Sequence, residues 1–201
     1  MQKIRLWSIQ TIEAWDELNQ KGFLVGSKQY VEQEYLEGYE WMRQKMIEKI
    51  GKPKSTSQYP LWAWYQHYDK SKKKPDLRKT GHLPKGVRGV RIEFTANQKD
   101  VLLSDFLLWD LPLFYKSFIG DTEKEYEEFD KIVEEKKLTD ISFHEYPKHL
   151  KEKIINSWEK IFDLNFNDSY FTTTKENKMI QACFWELDLK QVIRIDKFIA
   201  R

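Results

Sequence analysis

The stretch Met179-Ile-Gln-Ala-Cys-Phe-Trp-Glu-Leu-Asp-Leu189 sets an ionisable group in an apolar strand pattern. Alternation puts Ile180, Ala182, Phe184 and Glu186 on one face, with Gln181, Cys183, Trp185 and Leu187 on the other. Both faces are apolar apart from Gln181 and Glu186, which is the pattern of a central strand. A carboxylate there is costly unless it is partnered or protonated. Two readings are open: Glu186 sits at a wet strand end or pairs with Arg194, or it is a catalytic carboxylate held on a rigid strand and aimed into a cleft. Polar and aromatic side chains gather in two further places. Leu6-Trp7-Ser8-Ile9-Gln10 puts Ser8 and Gln10 on one strand face and Trp7 on the other, and Tyr59-Pro-Leu-Trp-Ala-Trp-Tyr-Gln66 puts Trp62, Trp64 and Gln66 opposite Leu61, Ala63 and Tyr65. Such rings either fill a core or form a stacking platform for a planar group such as nicotinamide, adenine or another nucleobase.

Other chemistries are poorly served. His67, His82, His144 and His149 include no i, i+4 pair, and neither an HExxH nor a CxxC pattern occurs, so no metal site is expected. Gly81-His-Leu-Pro-Lys-Gly86 lacks both the lysine–hydroxyl ending of a P-loop and the spacing of a dinucleotide fingerprint. Cys183 is the one cysteine and lies in an apolar run, where a thiol is normally an inert small hydrophobe. An intramolecular disulfide is therefore excluded.

The elements that would position these residues alternate along the chain. Ile4–Gln10 reads as a first strand, and Thr11 as the cap of a short helix carrying Ile12, Trp15 and Leu18 that stops at Gly22. Residues 31–50 read as a helix, 61–67 as an aromatic strand, and 88–95 and 101–103 as further strands. A short helix capped at Ser104-Asp105 is expected to break near Pro112. A helix over 147–162 and closing strands over 179–187 and 192–199 complete the chain. This predicts an α+β fold: a single domain over 1–201 with a central mixed or antiparallel sheet flanked by helices.

Composition agrees with that size of core. The 201 residues carry 34 Lys+Arg against 32 Asp+Glu, with eight Trp, ten Tyr and twelve Phe, too many rings for a disordered chain. Mean hydropathy is −0.73, and no apolar run approaches the ~20 residues of a spanning helix. No apolar signal region follows Met1, so a cytoplasmic chain without membrane partners is expected. The net charge of +2 conceals two blocks. Residues 70–91 hold nine basic side chains against Asp76, and their Pro and Gly content reads as a loop; residues 121–140 hold nine acids against four lysines. Blocks of this kind are usually solvated faces, but the basic one also suits a nucleic-acid backbone.

Leu6-Trp7-Ser8-Ile9-Gln10, Trp15…Leu18…Gly22, Tyr39-Glu-Trp41-Met42, Pro60-Leu-Trp62-Ala-Trp64-Tyr65-Gln66, Leu102-Leu103-Ser104-Asp105-Phe106…Trp109 and Ile180-Gln181-Ala182…Trp185-Glu186-Leu187 occur in that order. In these motifs the chain resembles the bacterial domain-of-unknown-function family 3841 over nearly its whole length. The order of elements is also similar, more weakly, to the ADP-ribosyltransferase fold of compact nucleic-acid-modifying toxins. In this chain Ser8 and Gln10 stand where those proteins use Arg or His, and no Gln or Glu stands two residues before Glu186.

That second resemblance implies a toxin or phage-defence effector that moves ADP-ribose from NAD to a nucleic acid, RNA ahead of DNA, without a metal. It implies Glu186 as the catalytic carboxylate, stabilising the charge that develops as the nicotinamide–ribose bond breaks. Ser8, Gln10, Tyr39, Trp62, Trp64, Tyr65 and Gln181 would contact NAD, and Arg78 would neutralise its pyrophosphate. An antitoxin or chaperone could dock on the acidic segment. The alternative is a non-catalytic nucleic-acid-binding module, stacking bases on Trp62, Trp64 and Tyr65 and gripping the backbone with the basic loop. An interaction subunit whose exposed rings dock a partner protein is a third reading.

Overall fold

The computed structural model describes residues 2–168 and 170–201, with Tyr115 described by its backbone alone. Strand β1 (Lys3–Thr11) buries Ile4 and Leu6 on one face and pairs antiparallel with β5 (Arg88–Asn97), in register from Lys3↔Asn97 to Thr11↔Gly89. Its other edge pairs with β4 (Leu61–Gln66), where Trp7 faces Trp64. Helix α1 (Ile12–Lys21) starts at Thr11, whose Oγ1 accepts the Ala14 N–H at 3.3 Å. It stops at Gly22, which takes φ 80° and donates its N–H to Leu18 O, as the sequence predicts.

Two sheets result. With β6 (Leu102–Asp105), β7 (Ile180–Phe184) and β9 (Val192–Ile199), the larger has the order β6-β7-β4-β1-β5-β9. The smaller joins β3 (Gln58–Tyr59), β2 (Phe23–Ser27) and β8 (Glu186–Asp188) in the order β3-β2-β8. The pairings of β1 with β4 and β5, of β4 with β7, of β5 with β9 and of β2 with β3 and β8 are all antiparallel. Leu6, Val90, Ile92, Phe94 and Ala182 meet Leu18, Leu24 and Leu187 in one core. The fold is α+β.

Three expectations are corrected. The strand expected over 179–187 breaks at Trp185, so Gln181 and Cys183 lie in the large sheet while Glu186 opens β8 of the small one. The break lets Leu187 enter the core opposite Leu24, while Trp185 Nε1 donates to Gly51 O at 2.8 Å. Helix α2 spans Leu36–Ile50, and 3-10 turns precede it over Lys28–Tyr30 and Gln33–Tyr35. At Pro112 the chain continues as a π-helical turn, Leu111–Tyr115, because a proline at a helix start gives up no internal hydrogen bond.

The chain forms two compact units, Met1–Leu103 with Met179–Arg201, and Ser104–Lys178. The second holds α3 (Phe106–Asp110), α4 (Glu123–Glu135) and α5 (Lys148–Ser157). The acidic block therefore includes a helix capped by Thr122, with Phe129 turned inward against Phe118 at 4.6 Å between centroids. In this unit Lys178 Nζ donates to Asp105 Oδ2 at 2.5 Å, both side chains being fully buried, and the Thr172 hydroxyl bonds the same oxygen. Asp105 also caps α3 through Leu107 N–H.

In the first unit, the outward face of β1, β5 and β9 is charged, and the basic loop covers it. Arg91 is buried; its guanidinium donates to Pro75 O and, at 2.7 Å, to Asp196 Oδ2. Lys74 lies 3.5 Å from Asp196, and Arg5 lies 3.3 Å from Glu93. Arg91, followed by Arg194, holds the Asp196 carboxyl below its ordinary range. A carboxylate with a depressed folded pKa contributes stability above its unfolded pKa and loses it as the pH falls through the folded value. Asp196→Asn is therefore expected to cost about 2 kcal/mol at pH 7. The gap to the parent should narrow as the pH falls below about 4, as measured by urea denaturation at each pH.

Candidate functional site

Where the two sheets part, the end of β1, helix α1, strand β2, helix α2 and the β3–β4 junction enclose a cavity of about 600 Å³, within the range of small-molecule sites. The chain passes from β3 to β4 through Pro60, which has no N–H to donate to either ladder. Gly26 of β2 lies opposite Tyr59, so close that a Cβ would sit 2.4 Å from Tyr59 O and 2.9 Å from Pro60 O. Only glycine fits there.

Three of the residues selected from sequence line this cavity: Gln10, Tyr39 and Trp62. Ser8 lies behind them. Its hydroxyl donates to Trp62 O at 2.8 Å and accepts Gln10 Nε2 at 2.8 Å, tying β1, β4 and the Gln10 amide together. The Gln10 Nε2 is thus occupied, while among the described residues no donor meets its Oε1. The Tyr39 and Trp62 rings meet edge to face, 5.8 Å apart at 69°. Burial first, and the nearby Cys183 second, push the Tyr39 phenol up to about 12, so it stays protonated and able to donate.

Tyr59, on the same wall, is also pushed up to about 12, first by burial and then by its hydrogen bond to Glu40. Arg43 of α2 donates to Gln58 O at 3.1 Å and Thr56 O at 2.7 Å, fixing β3 against the helix. Glu13 and Glu17 of α1, Val25 and Gly26 of β2 and Leu83 are also among the lining residues. Sequence reasoning missed these residues. The one usable signal was Gly26, an isolated glycine in an apolar run, which marks close backbone approach.

The remaining selected residues lie elsewhere. Glu186 lines a separate cavity of about 550 Å³, and its Oε1 accepts Lys54 Nζ at 2.7 Å. Its ion-pair partner is Lys54 and not Arg194, which bonds Asp196 at 2.8 Å. Lys3, Lys52, Lys54 and Lys190 line that cavity with Glu186 and Trp185. Glu186 nevertheless stands opposite Val25, a residue of the first cavity's wall, across the β2–β8 ladder.

Trp64 packs edge-on to His67 at 4.7 Å, and Lys73 Nζ lies 4.9 Å from the Tyr65 ring. Gln181 stands opposite Trp64 with its Oε1 buried and without a hydrogen-bond partner among the described residues. Arg78 is at a third concavity, where it is paired to Asp76 at 2.7 Å. Among the described residues no three His, Cys, Asp or Glu side chains group as a metal site requires, and no helix is long and apolar enough to cross a membrane. Burial raises the Cys183 thiol well above its ordinary value.

The two antiparallel sheets and the ring-lined cavity at their parting define an α+β protein with a concave site of small-ligand size. The chain belongs to the family described as Domain of unknown function (DUF3841), which matches residues 5–193. No curated protein and no solved structure matches it.

The close approach at Gly26 gives a direct test of how the cavity wall is built. Gly26→Ala must push β2 away from Pro60, because the atoms in the way are backbone. It is expected to destabilise by about 3 kcal/mol. Equilibrium unfolding followed by tryptophan fluorescence would measure it.

Proposed function

We propose that the chain is an NAD-dependent ADP-ribosyltransferase that modifies a nucleic acid, RNA ahead of DNA, as a toxin-like or phage-defence effector. The observation carrying this reading is the meeting of Gln10, Tyr39 and Trp62 in one cavity of about 600 Å³ where the sheets part. The residues suit NAD chemically. Gln10 offers an amide oxygen that can accept an N–H from a carboxamide. Tyr39 offers a phenol that stays protonated, and Trp62 an aromatic wall. When bound, NAD supplies an electrophilic ribose carbon and nicotinamide as the leaving group.

The chain's own work is then to hold the ring, exclude water, and set a carboxylate against the positive charge that develops on the ribose. Glu186 is the residue assigned to that role. It stands across the ladder from the cavity wall at Val25 and pairs with Lys54 away from the core. Reaction requires Glu186 to leave Lys54, an exposed lysine whose ion pair is worth little in solvent. The acidic face of α4 is the surface we assign to an antitoxin or chaperone, and the cytoplasm is the compartment this role implies.

One observation favours a second reading, a binding module without catalysis: Lys70, Lys72, Lys79 and Lys85 of the basic loop are all exposed. That module would bind RNA or DNA in a salt-sensitive way and ignore both NAD and Glu186.

Release of nicotinamide and transfer of label from radioactive NAD to total RNA, DNA and protein separates the two readings. Glu186→Gln is expected to lower transfer by about 10²–10³-fold while leaving the melting temperature unchanged. Gln10→Ala should also abolish the thermal shift that NAD produces in the parent. If the parent shows neither NAD turnover nor an NAD-dependent thermal shift, the transferase reading is wrong.

A further inference from the structure

The rings expected from sequence to stack bases are not the ones the basic loop presents. Trp62 is taken up by the cavity beside Tyr39, Trp64 packs against His67, and Tyr65 lies under Lys73. Tyr68, by contrast, is 61% exposed and lines a concavity of about 750 Å³ within the loop itself. Lys72, Lys73, Arg78 and Lys79 line the same concavity.

The loop is built to hold that arrangement. His67 N–H donates to Lys73 O at 2.9 Å and Tyr68 N–H to Lys72 O at 3.2 Å, so residues 67–73 form a closed, hydrogen-bonded turn. Asp69 closes its turn, one carboxylate oxygen accepting Ser71 N–H at 2.7 Å, Ser71 Oγ at 2.6 Å and Lys72 N–H at 2.9 Å. Lys72 is thereby set across from Tyr68, with its Nζ 5.3 Å from the ring centroid. Arg91 fixes the far side of the loop through Pro75 O.

Electrostatically the concavity is cationic. Among the described residues Asp76 is the one carboxylate lining it, and Arg78, to which it is hydrogen-bonded, holds it far below the ordinary range. Burial, followed by the neighbouring His82, lowers the His67 pKa, so the positive charge rests with the lysines and Arg78.

We propose that this loop is the docking groove for single-stranded RNA, with Tyr68 as the stacking face for one unpaired base and Lys72, Lys73 and Lys79 as phosphate contacts. A pre-ordered aromatic ring flanked by exposed cations is the standard means of holding a single strand without reading its sequence. A concavity of this volume takes a nucleotide unit, whereas a duplex presents no free base to the ring. The inference deepens the proposed function by placing its acceptor, and it rests on nucleic acid being that acceptor.

Binding of the full chain, without NAD, to fluorescein-labelled oligo(U) of 15 nucleotides tests it by anisotropy, with oligo(dT) and a 15-base-pair RNA duplex as comparisons. Tyr68→Ala is expected to weaken oligo(U) binding about tenfold with no change in melting temperature, since the ring is exposed. Lys72→Ala with Lys79→Ala should lower the slope of log K against log salt by about 1.4, at ~0.7 per lost phosphate contact. Tyr170→Ala, a 53% exposed tyrosine outside the loop, should bind as the parent does. Oligo(dT) binding as well as oligo(U) would support the groove with the sugar unread.

Tyr68→Ala binding within twofold of the parent, or a duplex binding as tightly as the single strand, overturns the proposal. Because NAD is absent, such a failure leaves the transferase site standing. Loss of NAD turnover in Gln10→Ala with oligo(U) binding intact would separate the two sites the other way.

Discussion

Much of the first unit depends on one constraint: two segments cross between the large sheet and the small one within a single residue. The first crosses at Pro60, between β3 and β4, and the second at Trp185, between β7 and β8. At each crossing a ladder must end without leaving a buried backbone donor unsatisfied. Proline meets the need at the first by having no N–H. Trp185 occupies the second, its indole bonded to Gly51 O just past the end of α2. Once the strands diverge, the space between them must be filled or left as a cavity. Leu24, Phe184 and Leu187 fill most of it, and the remainder is the cavity of Gln10, Tyr39 and Trp62.

The same geometry explains why Glu186 is separated from the cavity residues although it follows Phe184 by only two positions. Had β7 continued straight, Glu186 would have extended the face of Ala182 and Phe184, next to the end of β4. The crossing carries it into register with Val25, where a carboxylate can reach solvent and Lys54. A carboxylate near a core is tolerated only with such an outlet. The crossing thus relieves the burial cost that the apolar strand pattern implies, and keeps a carboxyl group within one ladder step of the cavity wall.

The α+β class, the cap at Thr11, the stop at Gly22 and the strands that became β1 and β5 were legible in the sequence because each follows from local periodicity or one residue's backbone preference. The small sheet was not. β3 has two residues and β8 three, too short to show alternation, and β2 exposes Phe23 while burying Leu24. The grouping of Gln10 with Trp62 followed only from the resemblance to the transferase fold, and Gly26 and Tyr59 join the site through a non-local pairing. Charge counting had the opposite fault. It set Lys74 and Arg91 beside the exposed lysines, although Asp196, more than a hundred residues on, engages both. Long-range ion pairs leave no periodic trace in a sequence.

That division of the basic block has a physical use. Binding loops usually belong to the least stable parts of a protein, and ordering them on binding costs affinity. Here the buried Arg91 guanidinium spans Pro75 and Asp196, joining the loop to the central β5 and the edge β9. The arginine that does this is itself screened from solvent, so it adds little to the field outside. The lysines that project outward carry that field. One loop also serves both candidate sites, since Leu83 lines the ring-walled cavity while Tyr68 and Lys72 line the cationic concavity. Anchoring it at Arg91 fixes a wall of each. A loop shared in this way fixes both candidate sites against one frame, so that neither wall has to be assembled by the other.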